Sequence, residues 1–179
     1  MVAKPCVASL TVKTSHVMPQ DTNFHGTLFG GKLMAHIDDV AAIAATRHAR
    51  QLVVTASTDS VDFLHPVREG DTICLEAIVT WTHQTSMEVF VKAVTENLLT
   101  GDRKVCATAF ITMVAIDQDN KPVTVPSVYP ESDEEKWLHQ EAPRRAELRK
   151  ERRKNSKDMA RDFGTALPWN EQSRFGDAP

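Results

Sequence analysis

The segment DTNFHGTLFGGKLMAHIDDVAAIAATRH, residues 21 to 48, gathers the side chains best able to act together on a carbonyl group. Gly30 and Gly31 stand just ahead of a run with helical period. Two residues without Cβ at a helix start let another molecule touch the backbone, where unpaired N–H groups and the positive end of the dipole point outward. A carbonyl oxygen that gains negative charge needs such donors, and one is worth about 10²–10³ in rate. Asn23, in the preceding turn-rich loop, offers an amide for a water or the same carbonyl. At about 100° per residue, Leu33, Met34, Ile37, Val40, Ala41, Ala44 and Ala45 form one apolar stripe. Asp38 falls at its edge, with Met34, Ala41, Ala42 and Ala45 one turn away. Asp39 falls on the opposite side, near Lys32 and Ile43. Small side chains around Asp38 let a reactant approach closely, and desolvation there suits a general base.

The elements that must hold these groups can be read from periodicity. Ala8 to Val17 alternates as a first strand, and from about Gly30 the period changes from two to 3.6, as far as His48 to Gln51. Leu52 to Leu64 is rich in β-branched residues. Thr72 to Thr82, Met87 to Thr95 and Val105 to Ile116 alternate, with Glu69-Gly70-Asp71 and Thr100-Gly101-Asp102 as turns. The order predicts an α+β layer: one long helix against a largely antiparallel sheet of meander-like strands. Pro122, Pro126 and Pro130 then mark a change of character, giving one domain over 1–126 and an extension over 127–179. Glu131 to Lys154 is charged almost all round and reads as a solvated helical arm or a contact to another subunit. Beyond Asn155 the chain is polar and terminal, so disorder is expected there despite Phe163, Trp169 and Phe175.

Composition narrows the function classes. Formal net charge is −3, but Arg144 to Lys154 carries +5 and the remainder −8. The whole chain therefore makes no electrostatic case for nucleic acid or membrane, and no aromatic residue interleaves the basic run. Cys6, Cys74 and Cys106 are odd in number and far apart, without zinc spacing, which fits a reduced cytoplasmic setting. No stretch has the length of a membrane span or a signal core. His36 projects away from Asp38, so no metal site is expected at His36-x-Asp38-Asp39.

Three runs resemble one known family. They are N-x-x-G-x-x-F-G-G-x-L-M-x-x-I-D from Asn23 to Asp38, V-D-F-L-x-P-V-x-x-G-D from Val61 to Asp71, and T-S-M-E-V-x-V-K from Thr85 to Lys92. Together they are similar to hotdog-fold acyl-CoA thioesterases over roughly residues 10 to 126. The resemblance implies a long helix wrapped by a curved antiparallel sheet, hydrolysis of acyl-coenzyme A, and no cofactor beyond the coenzyme A of the substrate. It implies that Asp38 and Asn23 act together from different subunits, in dimers that associate as a trimer of dimers. It also places Thr85 and Ser86 near the pantetheine arm and makes Arg103 a candidate for the coenzyme phosphates. Asp38 would activate a water or attack the thioester directly, with the amides of Gly30 and Gly31 on the oxyanion.

Two other readings keep part of this pattern. A hotdog hydratase or dehydratase would use His25 with Asp38, but His25 lacks flanking prolines and the expected spacing to an acid. A non-catalytic acyl-CoA-binding module would need the groove and not Asp38. The helical projection separates the two adjacent acids sharply. Asp38→Asn is expected to lose roughly 10²–10⁴ in turnover, the scale for removing a general base. Asp39→Asn should change little, and steady-state turnover of the two variants checks this; equal losses would contradict the placement.

Overall fold

A computed structural model describes residues 1–165. The elements in chain order are β1 (Lys4–Pro5), β2 (Thr11–His16), α1 (Gly30–Ala49), β3 (Leu52–Phe63), β4 (Thr72–Thr82), β5 (Ser86–Glu96), β6 (Arg103–Ile116), β7 (Val128–Tyr129) and α2 (Asp133–Asp162). A first compact unit covers Met1–Ala142 and a second Pro143–Pro179.

Five strands form one antiparallel sheet in the order β2-β4-β5-β6-β3, and α1 packs on it. The alternation in β4 is realised: Ile73, Leu75, Ala77 and Val79 are all buried. They meet Leu33, Ile37, Val40, Ala41, Ala44 and Ala45 of the helix in a single core. Helical and strand periods thus point their apolar sets at each other, which is what holds an α+β layer together.

Three expectations are corrected. The strands are not a simple meander, because β3 pairs with β6 at the far edge while β4 continues on the other side. The first strand starts later than the alternation suggested, since Cys6–Ser9 forms a 3₁₀ turn buried at Cys6 and Ser9. The arm after Glu131 does bury side chains at its start: Leu138 and Ala142, one turn apart, are 2% and 0% exposed within the first unit. Its start is a capping box, with Ser132 Oγ accepting from Glu135 N–H and Glu135 Oε2 accepting from the amides of Glu131 and Ser132. Helix α2 runs on to Asp162, so the first turns after Asn155 are helical where disorder was expected. Trp169 and Phe175, and the disorder expected around them, lie outside the described residues.

α1 ends on Arg50 in the left-handed region, φ 54°, which stops the helix with its amide bonded back to Thr46. Just before that stop, His48 is fully buried. Its Nε2 lies 2.8 Å from the carbonyl oxygen of Pro126, so that nitrogen carries the proton and donates, while Nδ1 has no partner. Lys4 Nζ donates to the His48 carbonyl at 2.6 Å. One histidine thus ties the helix end to the proline-rich linker, beside a lysine from the N-terminal segment.

Burial holds the His48 pKa below its ordinary 6.5, with the Lys4 charge adding to the effect and the Pro126 bond opposing it. An unfolded chain takes up a proton near that ordinary value, whereas the folded chain resists it. Stability is therefore full above about pH 6.5 and falls as pH drops from there toward the lowered value. His36, held low by burial and by Lys13 and Lys32, acts in the same sense. Melting temperature measured from pH 7.5 to 5 should fall for the native chain and fall less steeply for His48→Gln, which keeps a donor for Pro126. Identical slopes would remove His48 from this account.

Candidate active site

Asp38 lies on the exposed side of α1, and Thr55 of β3 reaches it: Thr55 Oγ1 donates to Asp38 Oδ1 at 2.7 Å. Thr55 stands opposite Met113 of β6, next to the first of two register shifts in β3. A bulge beside a functional side chain alters where it aims, and here the strand turns a hydroxyl onto the helix. Nothing in the alternation of LVVTASTDSVDF singles Thr55 out. The available signal was the density of Ser and Thr in a strand that also carries Asp59 and Asp62. Asp39 points elsewhere, as projected, in an ion pair with Lys13 at 2.6 Å. The desolvation expected around Asp38 is not supplied by its own chain, which leaves the residue exposed.

The start of α1 has no side-chain cap. The amides of Lys32 and Leu33 turn back to the Phe29 carbonyl, and the Phe29 amide donates to Asp21 at 2.8 Å. The amides of Gly30 and Gly31 have no acceptor among the described residues. A Cβ on Gly31 would fall 2.5 Å from the Phe29 ring, and one on Gly30 would fall 3.5 Å from the Phe63 ring. Glycine at Gly31 is thus what lets Phe29 lie against the first turn.

Asn23 is ordered by its own loop. Its Oδ1 accepts from the amides of His25 at 2.9 Å and Thr27 at 3.3 Å, and its Nδ2 donates to Thr27 Oγ1 at 3.1 Å. Gly26, at φ +70°, closes this turn in a conformation that favours glycine. His25 is an exposed loop residue against Phe24, with ring centroids 4.1 Å apart and the planes tilted by 42°. No hydrogen bond links Asn23 or His25 to Asp38 among the described residues.

One chain therefore brings Asp38 and Thr55 together and holds Asn23 on Thr27 in the loop before α1, with no hydrogen bond between the two sets among the described residues. Gly30 and Asp38 are eight residues apart on one helix, or roughly 12 Å of rise. The other candidates divide the same way. Thr85 and Ser86 lie at the β4–β5 turn, where Ser86 stands opposite Val114 and adjoins the Met87–Met113 pair. Arg103 stands opposite Glu96 at the other end of β5, and its Nε lies 3.4 Å from Glu96 Oε2. Ten residues of strand, roughly 34 Å, separate these ends. The buried thiols take no part: burial pushes Cys6 up to about 12 and Cys106 to about 11, so both stay protonated and inert.

The Thioesterase superfamily profile matches residues 25–101. A Bacillus subtilis protein named uncharacterized acyl-CoA thioester hydrolase YkhA is 55% identical over 164 residues, 92% of this chain and 95% of that one. The solved structure of a Staphylococcus aureus acyl-CoA hydrolase with butyryl-CoA, coenzyme A and coenzyme A disulfide is 46% identical. It superposes with a TM-score of 0.85 over 89% of this chain and 97% of that one. Variants of that enzyme with one aspartate, one threonine or one asparagine replaced by alanine have also been solved. An apo hexameric acyl-CoA thioesterase is 49% identical, with a TM-score of 0.83 over 85% of this chain and 97% of that one. By identity over nearly the whole length of both chains and by fold, this chain belongs to the thioesterase superfamily, in its hotdog-fold acyl-CoA hydrolase branch.

Proposed function

We infer that the chain hydrolyses the thioester of acyl-coenzyme A at a site that two copies complete together. The observation that carries this is the division of labour along α1. The Asp38–Thr55 pair stands in the third turn, and the two unpartnered amides of Gly30 and Gly31 stand in the first, preceded by the loop that carries Asn23. In the Staphylococcus enzyme the replaced asparagine, aspartate and threonine are separated by fifteen and then seventeen positions, the same intervals as Asn23, Asp38 and Thr55.

The edge strand supports the shared site. β3 spans 12 residues, none of them buried, and exposes Leu52, Val54 and Phe63. A long unpaired edge of this kind invites pairing with another strand. If two copies pair antiparallel along β3 about a two-fold axis, the Thr55 end of one meets the Phe63 end of the other. Asp38 of one copy then approaches Asn23, Gly30 and Gly31 of the second. The same exchange carries Arg103 of the second copy toward the Thr85–Ser86 end, where the pantetheine arm and coenzyme phosphates would lie. Three such dimers would give the hexamer found for a relative.

In this site Thr55 holds one oxygen of Asp38, leaving the other for a water. Asp38 takes the proton as the water attacks the thioester carbon, and charge developing on the carbonyl oxygen falls to the Gly30 and Gly31 amides and Asn23. Direct attack by Asp38, giving an anhydride that water then opens, uses the same geometry. The thiolate leaves without assistance, so no metal is required by the chemistry.

Purified protein should release free thiol from acyl-CoA in the presence of a chelator. Thr55→Val should lower turnover by about 10- to 100-fold, the value of a hydrogen bond to a charged group. Binding of coenzyme A without cleavage at any chain length would instead indicate a binding module. Hydration of an enoyl-CoA with the thioester intact would indicate a hydratase.

A further inference from the structure

The loop that carries Asn23 is a tight hairpin, with Thr22 bridged to Leu28 and the Asn23 amide donating to the Thr27 carbonyl at 2.8 Å. Its returning strand is held by the loop after β3. Leu28 N–H donates to the Val67 carbonyl at 2.8 Å, and Glu69 N–H to the Gly26 carbonyl at 3.2 Å. Val67 is 3% exposed and belongs to the core, so the hairpin is anchored on the interior of the first unit. This gives a use to the run from Val61 to Asp71, which the catalytic set leaves unexplained. Thr27 and Gly30 also line one cavity beside the first turn of α1, so both face the same space.

An asparagine amide has two lone pairs on oxygen and two hydrogens on nitrogen. The end of Asn23 that receives the backbone N–H groups of His25 and Thr27 can only be oxygen, and these two donors fill its lone pairs. At the other end, one Nδ2 hydrogen goes to Thr27 Oγ1 at 3.1 Å, and the same hydroxyl lies 3.2 Å from Oδ1. The Thr27 hydroxyl thus spans both ends of the amide and holds its plane. One Nδ2 hydrogen remains, without an acceptor among the described residues. It suits a carbonyl oxygen that gains charge, and it cannot take a proton from an attacking water. We propose that Thr27 is a positioning residue for the reaction: its hydroxyl fixes the Asn23 amide so that a single N–H, and no oxygen lone pair, is presented to the thioester carbonyl. This rests on the thioesterase reading given above. Asn23 then serves the oxyanion, and the water is left to Asp38 and Thr55.

The test is a double-mutant cycle on the full-length protein, with kcat and KM for acyl-CoA and melting temperature measured for each variant. Thr27→Val keeps the branched shape and the backbone amide and removes only the hydroxyl. It should lower kcat roughly three- to tenfold, the value of one neutral hydrogen bond, with KM and melting temperature little changed. Thr27→Ser should restore most of the loss. On the residual turnover of Asn23→Ala, the same Thr27→Val change should cost nothing further, because Thr27 acts through the amide already removed. Asn23→Asp, whose second oxygen takes the place of Nδ2, should turn over no faster than Asn23→Ala. The positioning role is overturned by no loss in the native background, by an equal fractional loss in both backgrounds, or by losses that follow melting temperature across the Val and Ser variants. Asn23→Asp activity well above that of Asn23→Ala would overturn the assignment of Asn23 as a donor. Failure of the native protein to cleave any acyl-CoA is a different result, and it would remove the thioesterase reading along with this one.

Discussion

An α-helix cannot fold its third turn back onto its first. The rise of about 1.5 Å per residue is fixed by the hydrogen bonds that make it a helix. Gly30 and Asp38 belong to one such helix, pinned to the sheet by Leu33, Ile37, Val40, Ala41 and Ala44, all essentially buried. The donors suited to an oxyanion and the carboxylate suited to activate water are thereby held about 12 Å apart. A reacting carbonyl needs both within roughly 3 Å. No hydrogen bond among the described residues of one chain joins the two sets, and in the proposed two-fold dimer each copy would supply the set that the other lacks.

The rest of the first unit follows from this constraint. α1 is 20 residues long, with a continuous apolar stripe and an abrupt stop at Arg50. The strand facing Asp38, β3, lies at the sheet edge and exposes its side chains, which leaves it accessible to a second copy. The bulge after Thr55 gives that edge strand a polar hand on the helix. The same edge that would be an aggregation liability in a monomer would, in the proposed dimer, be the surface on which the site is assembled.

Much of this was legible in the amino-acid sequence because the core obeys simple periods. The stripe from Leu33 to Ala45 and the alternation in Thr72–Thr82 placed helix, sheet and buried faces where the structure has them, except that Met34, counted in the stripe, lies 46% exposed beside Asp38's turn rather than in the core, and helical projection separated Asp38 from Asp39. What was not legible lies in relations between distant segments. Thr55 has no local signature, because its role comes from a register shift and from the helix packed beside it. The position of β3 at the far edge depends on which strand β6 pairs with on its free side. The burial of Leu138 and Ala142 was hidden because two apolar residues one turn apart are outnumbered by the charges around them. The split of the candidate residues into two groups could not be seen from a motif in which Asn23 and Asp38 are only fifteen residues apart.

The shared site is tested most directly by mixing two inactive proteins. Asn23→Ala and Asp38→Asn chains, each nearly inactive alone, are exchanged by mild denaturation and refolding, and thiol release is measured against native protein treated identically. In a mixed dimer one site receives both substitutions and the other receives neither. With random pairing and independent sites, activity should recover to about a quarter of native. A site built within one chain allows no recovery, since every chain then carries a defect. Absence of recovery, with subunit exchange proven by mass-labelled chains, would contradict the account.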